Sequence, residues 1–114
     1  NQQAKADWIH INSIDYNEEL GQIILTPRNW SEIWIIDHNT TSQEAAGAMG
    51  DILYRWGNPQ AYDRGSSSDQ ILYGPHDGQW IESDCPEQEI SSYSITDKAA
   101  QTATIRLSNS LLLR

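Results

Sequence analysis

Two histidines, an asparagine and an arginine have the types and spacings to act on an anionic ligand. In WIHINSIDY, residues 8–16, His10 and Asn12 stand two apart. In an extended strand, Trp8, His10 and Asn12 then share one face, and Ile9, Ile11 and Ser13 take the other. His and Asn side by side can donate hydrogen bonds to a ligand oxygen. The plainer reading is a polar, solvent-facing edge. Arg28 follows Pro27 at the end of the apolar run QIILTP. Its planar fork of donors suits a carboxylate, phosphate or sulfate, although most surface arginines are merely solvated. His76 lies in GPHDG between Gly74 and Gly78, which permit close approach of a ligand or of backbone. Imidazole is a nucleophile and an acid–base group near neutral pH. Asp77 is placed to orient it, although neighbours on a strand point to opposite faces. His38, in a polar turn, reads as a surface residue. The His and Asp spacings match no metal pattern such as HExxH, so neither a metal nor a cofactor is predicted.

The elements that must position these residues read as short strands. Residues 8–16 are rich in Ile and aromatics, which suit a pleated surface. Residues 22–27 follow a polar break, as in a hairpin with a loop longer than two residues. EIWIID, residues 32–37, is a third strand, and DILYRW, residues 51–56, a fourth. The first three fall about ten residues apart, the spacing of an antiparallel meander in an all-β fold. Residues 43–49 hold helix formers but are too short and Gly-broken for more than about two turns. Residues 57–70 form a long polar loop, and such loops are often functional or mobile. Trp30, Trp34, Trp56 and Trp80 read as packing residues and not as a ligand cage. Aromatic-rich strand groups recurring at roughly 40 residues suggest a β-propeller, of which this chain would supply about two blades.

Composition narrows the partners. The chain has 114 residues, with 16 acidic and 7 basic side chains and a net charge of −9. That balance argues against nucleic acid, which needs clustered Lys and Arg. No apolar run approaches the ~20 residues of a membrane span. The single cysteine, Cys85, makes neither an internal disulfide nor a multi-thiolate zinc site. The charge is unevenly spread. Residues 1–85 carry 13 acidic and 4 basic residues with all five Trp, seven Gly and three His, whereas residues 86–114 carry three of each sign.

Three strings share a further property. DWIHINSIDYNEELGQIILTPRNWSEIWIIDHNTT (7–41), GDILYRWGNPQAYDRG (50–65) and LYGPHDGQWI (72–81) resemble, in order, the bacterial aryl-sulfate sulfotransferase family. The resemblance implies a fragment of a six-bladed β-propeller, periplasmic or otherwise exported. The implied reaction moves a sulfuryl group from a phenolic sulfate ester to a phenol through a sulfated histidine, without a nucleotide sulfate donor. By the resemblance His76 is the nucleophile, His10 and Asn12 line the active site, and Arg28 binds the sulfuryl group. A further active-site histidine upstream and a polar residue downstream would lie outside this chain. Pro75 stands where many relatives have a polar residue, which changes the backbone before His76 because proline fixes φ and lacks an N–H. Small-molecule phenolic sulfates and phenols are the implied partners, with no nucleic acid and no membrane. The oligomeric state is left open. The alternatives are a propeller-type binding module without turnover and a structural repeat fragment with no site.

The resemblance stops at Cys85. A family-like continuation returns when Glu87 to Ala103 are assigned suitable codons and read one base earlier, behind the last base of a proline codon. The string is then GAGNILIFNNGQGSPDG. The expected organisation is therefore a partial propeller over residues 1–85 and a non-native, frameshifted tail over residues 86–114, forming no domain. DNA sequence across the Pro86 codon would test this. The other reading is a native C-terminal segment, helical over residues 97–103.

Overall fold

Isoleucine-rich runs separated by polar turns build a four-stranded antiparallel meander. In the computed structural model, residues 6–80 and the backbone of residues 104–107 are described. The strands are β1 (Ile11–Asn17), β2 (Gln22–Pro27), β3 (Ile33–Asp37) and β4 (Tyr54–Trp56), in spatial order β1-β2-β3-β4. The fold is all-β, with a single turn of α-helix, α1 (Ser42–Ala45), among the described residues. No helix of the described residues is long and apolar enough to cross a membrane.

Each turn has a local cause. The β1–β2 hairpin closes at Asn17 and Gln22, and the Asn17 side chain accepts from Leu20 N at 2.9 Å. Gly21 completes it at φ +60°, a left-handed conformation that glycine adopts freely. A 3₁₀ turn over Arg28–Trp30, ended by left-handed Ser31, leads into β3. Thr41 and Glu44 form a reciprocal capping box at the start of α1. The 57–70 loop is folded back on itself. Its ends are drawn together where Ile71 N and Leu72 N donate to Gly57 O at 2.9 and 3.1 Å. Such closed, self-packed loops are common functional surface elements.

Two predicted boundaries move inward. The first strand begins at Ile11 and not at Trp8, because His10 sits at φ +50° and interrupts the extended backbone. The fourth is only Tyr54–Trp56, since a 3₁₀ turn over Ala48–Gly50 takes up the chain before it.

The core lies on one face of β2 and β3. Ile24, Ile33, Ile35, Leu72 and Trp80 form it, with Leu20 and Trp56 packed against it. Ile24 and Ile35 are cross-strand partners, and Ile33 faces Trp56. Burying each such side chain contributes about 1.5–3 kcal/mol. The cover is supplied by the chain from Leu72 into β5 (His76–Trp80), which pairs in parallel with β6 (Thr104–Leu107). Residues 97–103, the alternative helix, lie outside the described residues, as does Cys85.

Candidate functional site

The β1 strand carries the first half of the site, and a bulge decides what it presents. The β1–β2 register shifts between Ile11 and Ile14. Strict alternation would send Asn12 and Ser13 to opposite faces. Instead both engage the chain at residues 75–78, because the extra residue of a bulge lets neighbouring side chains turn the same way. Asn12 Nδ2 donates to Pro75 O at 2.8 Å. Ser13 Oγ donates to Thr26 Oγ1 at 2.7 Å and accepts from Gly78 N at 3.0 Å. Beyond the bulge, Asp15 accepts from Trp80 N at 2.9 Å, while Ile14 and Tyr16 are exposed. The predicted shared face of Trp8, His10 and Asn12 is thus replaced. Trp8 is exposed and meets Trp30 edge to face at 5.8 Å between ring centres.

His10 and Arg28 are joined through the main chain. Arg28 N donates to His10 O at 3.0 Å, and Asn29 N to Ile9 O at 3.3 Å. Gly74 lies against the Arg28 side chain, since a Cβ built on it would be 3.8 Å from Nε and 3.9 Å from Cζ. Gly74 N donates to Ser31 Oγ at 3.1 Å. Three chain segments, 10–12, 28 and 74–76, therefore meet. Main-chain atoms make the joins, and among the described residues no hydrogen bond links the functional groups of His10, Asn12, Arg28 and His76 to one another.

The chemistry of each group follows from its partners. His10 Nδ1 pairs with the Asp7 carboxylate. If that nitrogen carries the proton, Nε2 donates only from the imidazolium form, whose charge Asp7 faces. Asn12 Oδ1 is buried with no partner among the described residues, so it can accept an O–H or N–H. Arg28 is half-buried and gives one N–H to Asn29 Oδ1 at 3.3 Å, leaving most of its fork for an anion. Asp77 does not lie on a regular strand. It sits at φ +55° at a register shift of β5, and its carboxylate accepts from Gln79 Nε2 at 2.7 Å. Pro75 is fully buried, and its carbonyl is the acceptor that Asn12 uses. The missing N–H of proline thus leaves that join intact.

Ser13, Thr26 and Asp15 escaped sequence reasoning. The usable signal was the pair of hydroxyl residues on two adjacent apolar strands, which the register pairing Asp15 with Ile24 brings face to face. His38 is exposed, and its ring lies 4.8 Å from that of Tyr16.

The described residues form an all-β fold in which the segments carrying His10, Asn12 and Arg28 meet Gly74–Pro75 through main-chain atoms. Comparison with family profiles makes this specific: the Arylsulfotransferase (ASST) family matches residues 1–96. The chain belongs to that family. The match runs past Cys85, beyond the last of the three resembling strings. No match was found among curated proteins or among solved structures.

Proposed function

We propose that this chain carries part of the active site of an aryl-sulfate sulfotransferase whose nucleophile is His76. The family match over residues 1–96 supports the reaction class. The observation that carries the residue assignment is the meeting of segments 10–12 and 28 with Gly74–Pro75, immediately before His76. A neutral imidazole nitrogen attacks sulfur, the sulfur–aryl-oxygen bond breaks and a phenolate leaves. A second phenol then attacks the sulfohistidine, gives up its proton, and the nitrogen–sulfur bond breaks. Negative charge on the sulfuryl and leaving oxygens is met by Arg28, by His10 in its imidazolium form and by the second Nδ2–H of Asn12, whose first holds Pro75 O. No cofactor takes part.

The four-stranded meander has the strand number of one propeller blade. We read the chain as part of a six-bladed propeller exported to the periplasm, and expect the 114-residue chain alone to lack turnover. The test is sulfuryl transfer from a chromogenic phenyl sulfate by the whole enzyme that contains this segment. His76→Ala should abolish phenol release, whereas unchanged release would remove His76 as nucleophile. Binding of phenyl sulfate by the whole protein without any transfer would mark it as a binding module.

A further inference from the structure

The segment carrying His76 is not zipped into the four-stranded sheet. Its ladder partner is β6. Its hold on β1 and β2 comes from side chains that grip main-chain atoms. On one flank of His76, Asn12 holds Pro75 O. On the other flank, Gly78 N donates to both Ser13 Oγ at 3.0 Å and Thr26 Oγ1 at 3.1 Å. The two hydroxyls are themselves joined at 2.7 Å. Thr26 is fully buried. A Cβ on Gly78 would come within 2.5 Å of Thr26 Oγ1 and 3.1 Å of Ile33 Cδ1, so the main chain lies directly on the hydroxyl pair.

We propose that Ser13 and Thr26 form a hydroxyl pair that positions the His76 imidazole. Neither is a catalytic residue. They fix the depth of the main chain two residues beyond His76, while Asn12 fixes it one residue before. The inference rests on the reading of His76 as nucleophile. In-line attack needs the nitrogen within about 3–3.5 Å of sulfur, and a misplacement of about 1 Å costs on the order of 100-fold in rate. With both hydroxyls removed, Gly78 N–H is left buried without an acceptor. A buried N–H in that position draws the chain outward toward water. The main chain then bows outward between Pro75, still held by Asn12, and Trp80, still held by Asp15, and His76 lies within that span.

The test is the Ser13→Ala/Thr26→Val double variant of the whole enzyme. It is assayed for steady-state transfer and for phenol release in the first turnover. We expect kcat and the first-turnover rate to fall about 10- to 100-fold. KM for the phenyl sulfate should change by less than about threefold, because His10, Asn12 and Arg28 are untouched. The pH dependence of kcat/KM should keep its shape. Thr26→Ser, which retains the hydroxyl, should recover most of the rate. Should the double variant fail to fold, each single variant leaves Gly78 one acceptor and should lose rate severalfold at unchanged KM. A wild-type first-turnover rate in the folded double variant overturns the proposal. So does a loss that only tracks the folded fraction in thermal melts, or a Thr26→Ser variant as slow as Thr26→Val. Full activity of His76→Ala removes the nucleophile reading itself. Loss of activity in His76→Ala together with an unaffected double variant overturns the hydroxyl pair alone.

Discussion

Replacing Glu32 by alanine should remove much of the stability of the meander. Glu32 is fully buried, and Arg55 grips its carboxylate with two bonds, Nε to Oε2 at 2.8 Å and Nη2 to Oε1 at 2.7 Å. Trp34 Nε1 donates to the same Oε2. The Arg55 side chain is 25% exposed, and its Cζ lies 5.7, 5.6 and 4.9 Å from the ring centres of Trp30, Trp34 and Tyr62. Glu32→Ala leaves that cation without its counter-charge and the Trp34 N–H without its acceptor. Breaking a buried pair from one side costs about 3–5 kcal/mol. The three rings still hold the cation, each by about 0.5–1 kcal/mol, so the lower end applies, about 3 kcal/mol. Small domains are stable by only about 5–15 kcal/mol. With a urea dependence of about 1–3 kcal/mol per molar, the midpoint should fall by about 1–3 M. Urea unfolding followed by tryptophan fluorescence measures this. The control is Glu32→Leu with Arg55→Met, which strands no charge and should cost less than Glu32→Ala alone. An unmoved midpoint for Glu32→Ala would refute the reasoning. So would a double variant whose cost equals the sum of its single changes, since the two side chains would then not be coupled.

Further outcomes follow from other contacts. Gly57→Ala should destabilise by at least about 1–3 kcal/mol in the same unfolding experiment. Gly57 has φ +120°, and a Cβ there would lie 2.5 Å from Leu72 Cδ1 and 2.7 Å from Ser31 O. The Glu44 carboxyl should titrate below the ordinary glutamate value, chiefly because Thr41 N–H donates to it and secondly because the Thr41 hydroxyl does. Its folded-state affinity for the proton is depressed. The capping contribution is therefore present above the unfolded glutamate value and lost as pH falls through the folded one. Proton NMR should show α1 fraying in that acidic window, and Thr41→Ala should return Glu44 toward its ordinary titration. Tyr62 should titrate above ordinary tyrosine because of burial first and the nearby Glu32 charge second. Glu32→Gln should reduce the upward shift in an ultraviolet titration.

Much of the fold was legible because it rests on local pattern. The runs IIL in β2 and IWII in β3 are too apolar for anything but buried strands, and Gly21 marks a hairpin by its freedom at positive φ. What was not legible depends on departures from regular geometry. A left-handed His10 is rare for a residue with a Cβ, so nothing in WIHI announces it. The bulge that follows turns Asn12 to the same side as Ser13, and a period of two applied to the sequence separates the two. The Glu32–Arg55 pair is hidden for another reason. The two lie 23 residues apart, and only the register that sets Trp34 opposite Arg55 brings them together. The candidate residues themselves were readable as types, while their joins run through backbone atoms that carry no sequence signature.

The grip of β1 on the His76 segment also bears on the order in which the molecule is assembled. The meander is stitched by neighbours in the chain. By contrast, Asn12 with Pro75 spans 63 residues, and both Ser13 with Gly78 and Asp15 with Trp80 span 65. Closing long loops is entropically unfavourable before their contacts form, so local pairings lead and distant ones follow. The ladder of β1 to β4 does not require the 75–80 segment. A chain emerging from the ribosome can form the meander while the histidine segment is still undocked, and that docking comes last. Changes at this seam should therefore leave folding rates nearly untouched and appear as faster unfolding, a signature of contacts made after the transition state.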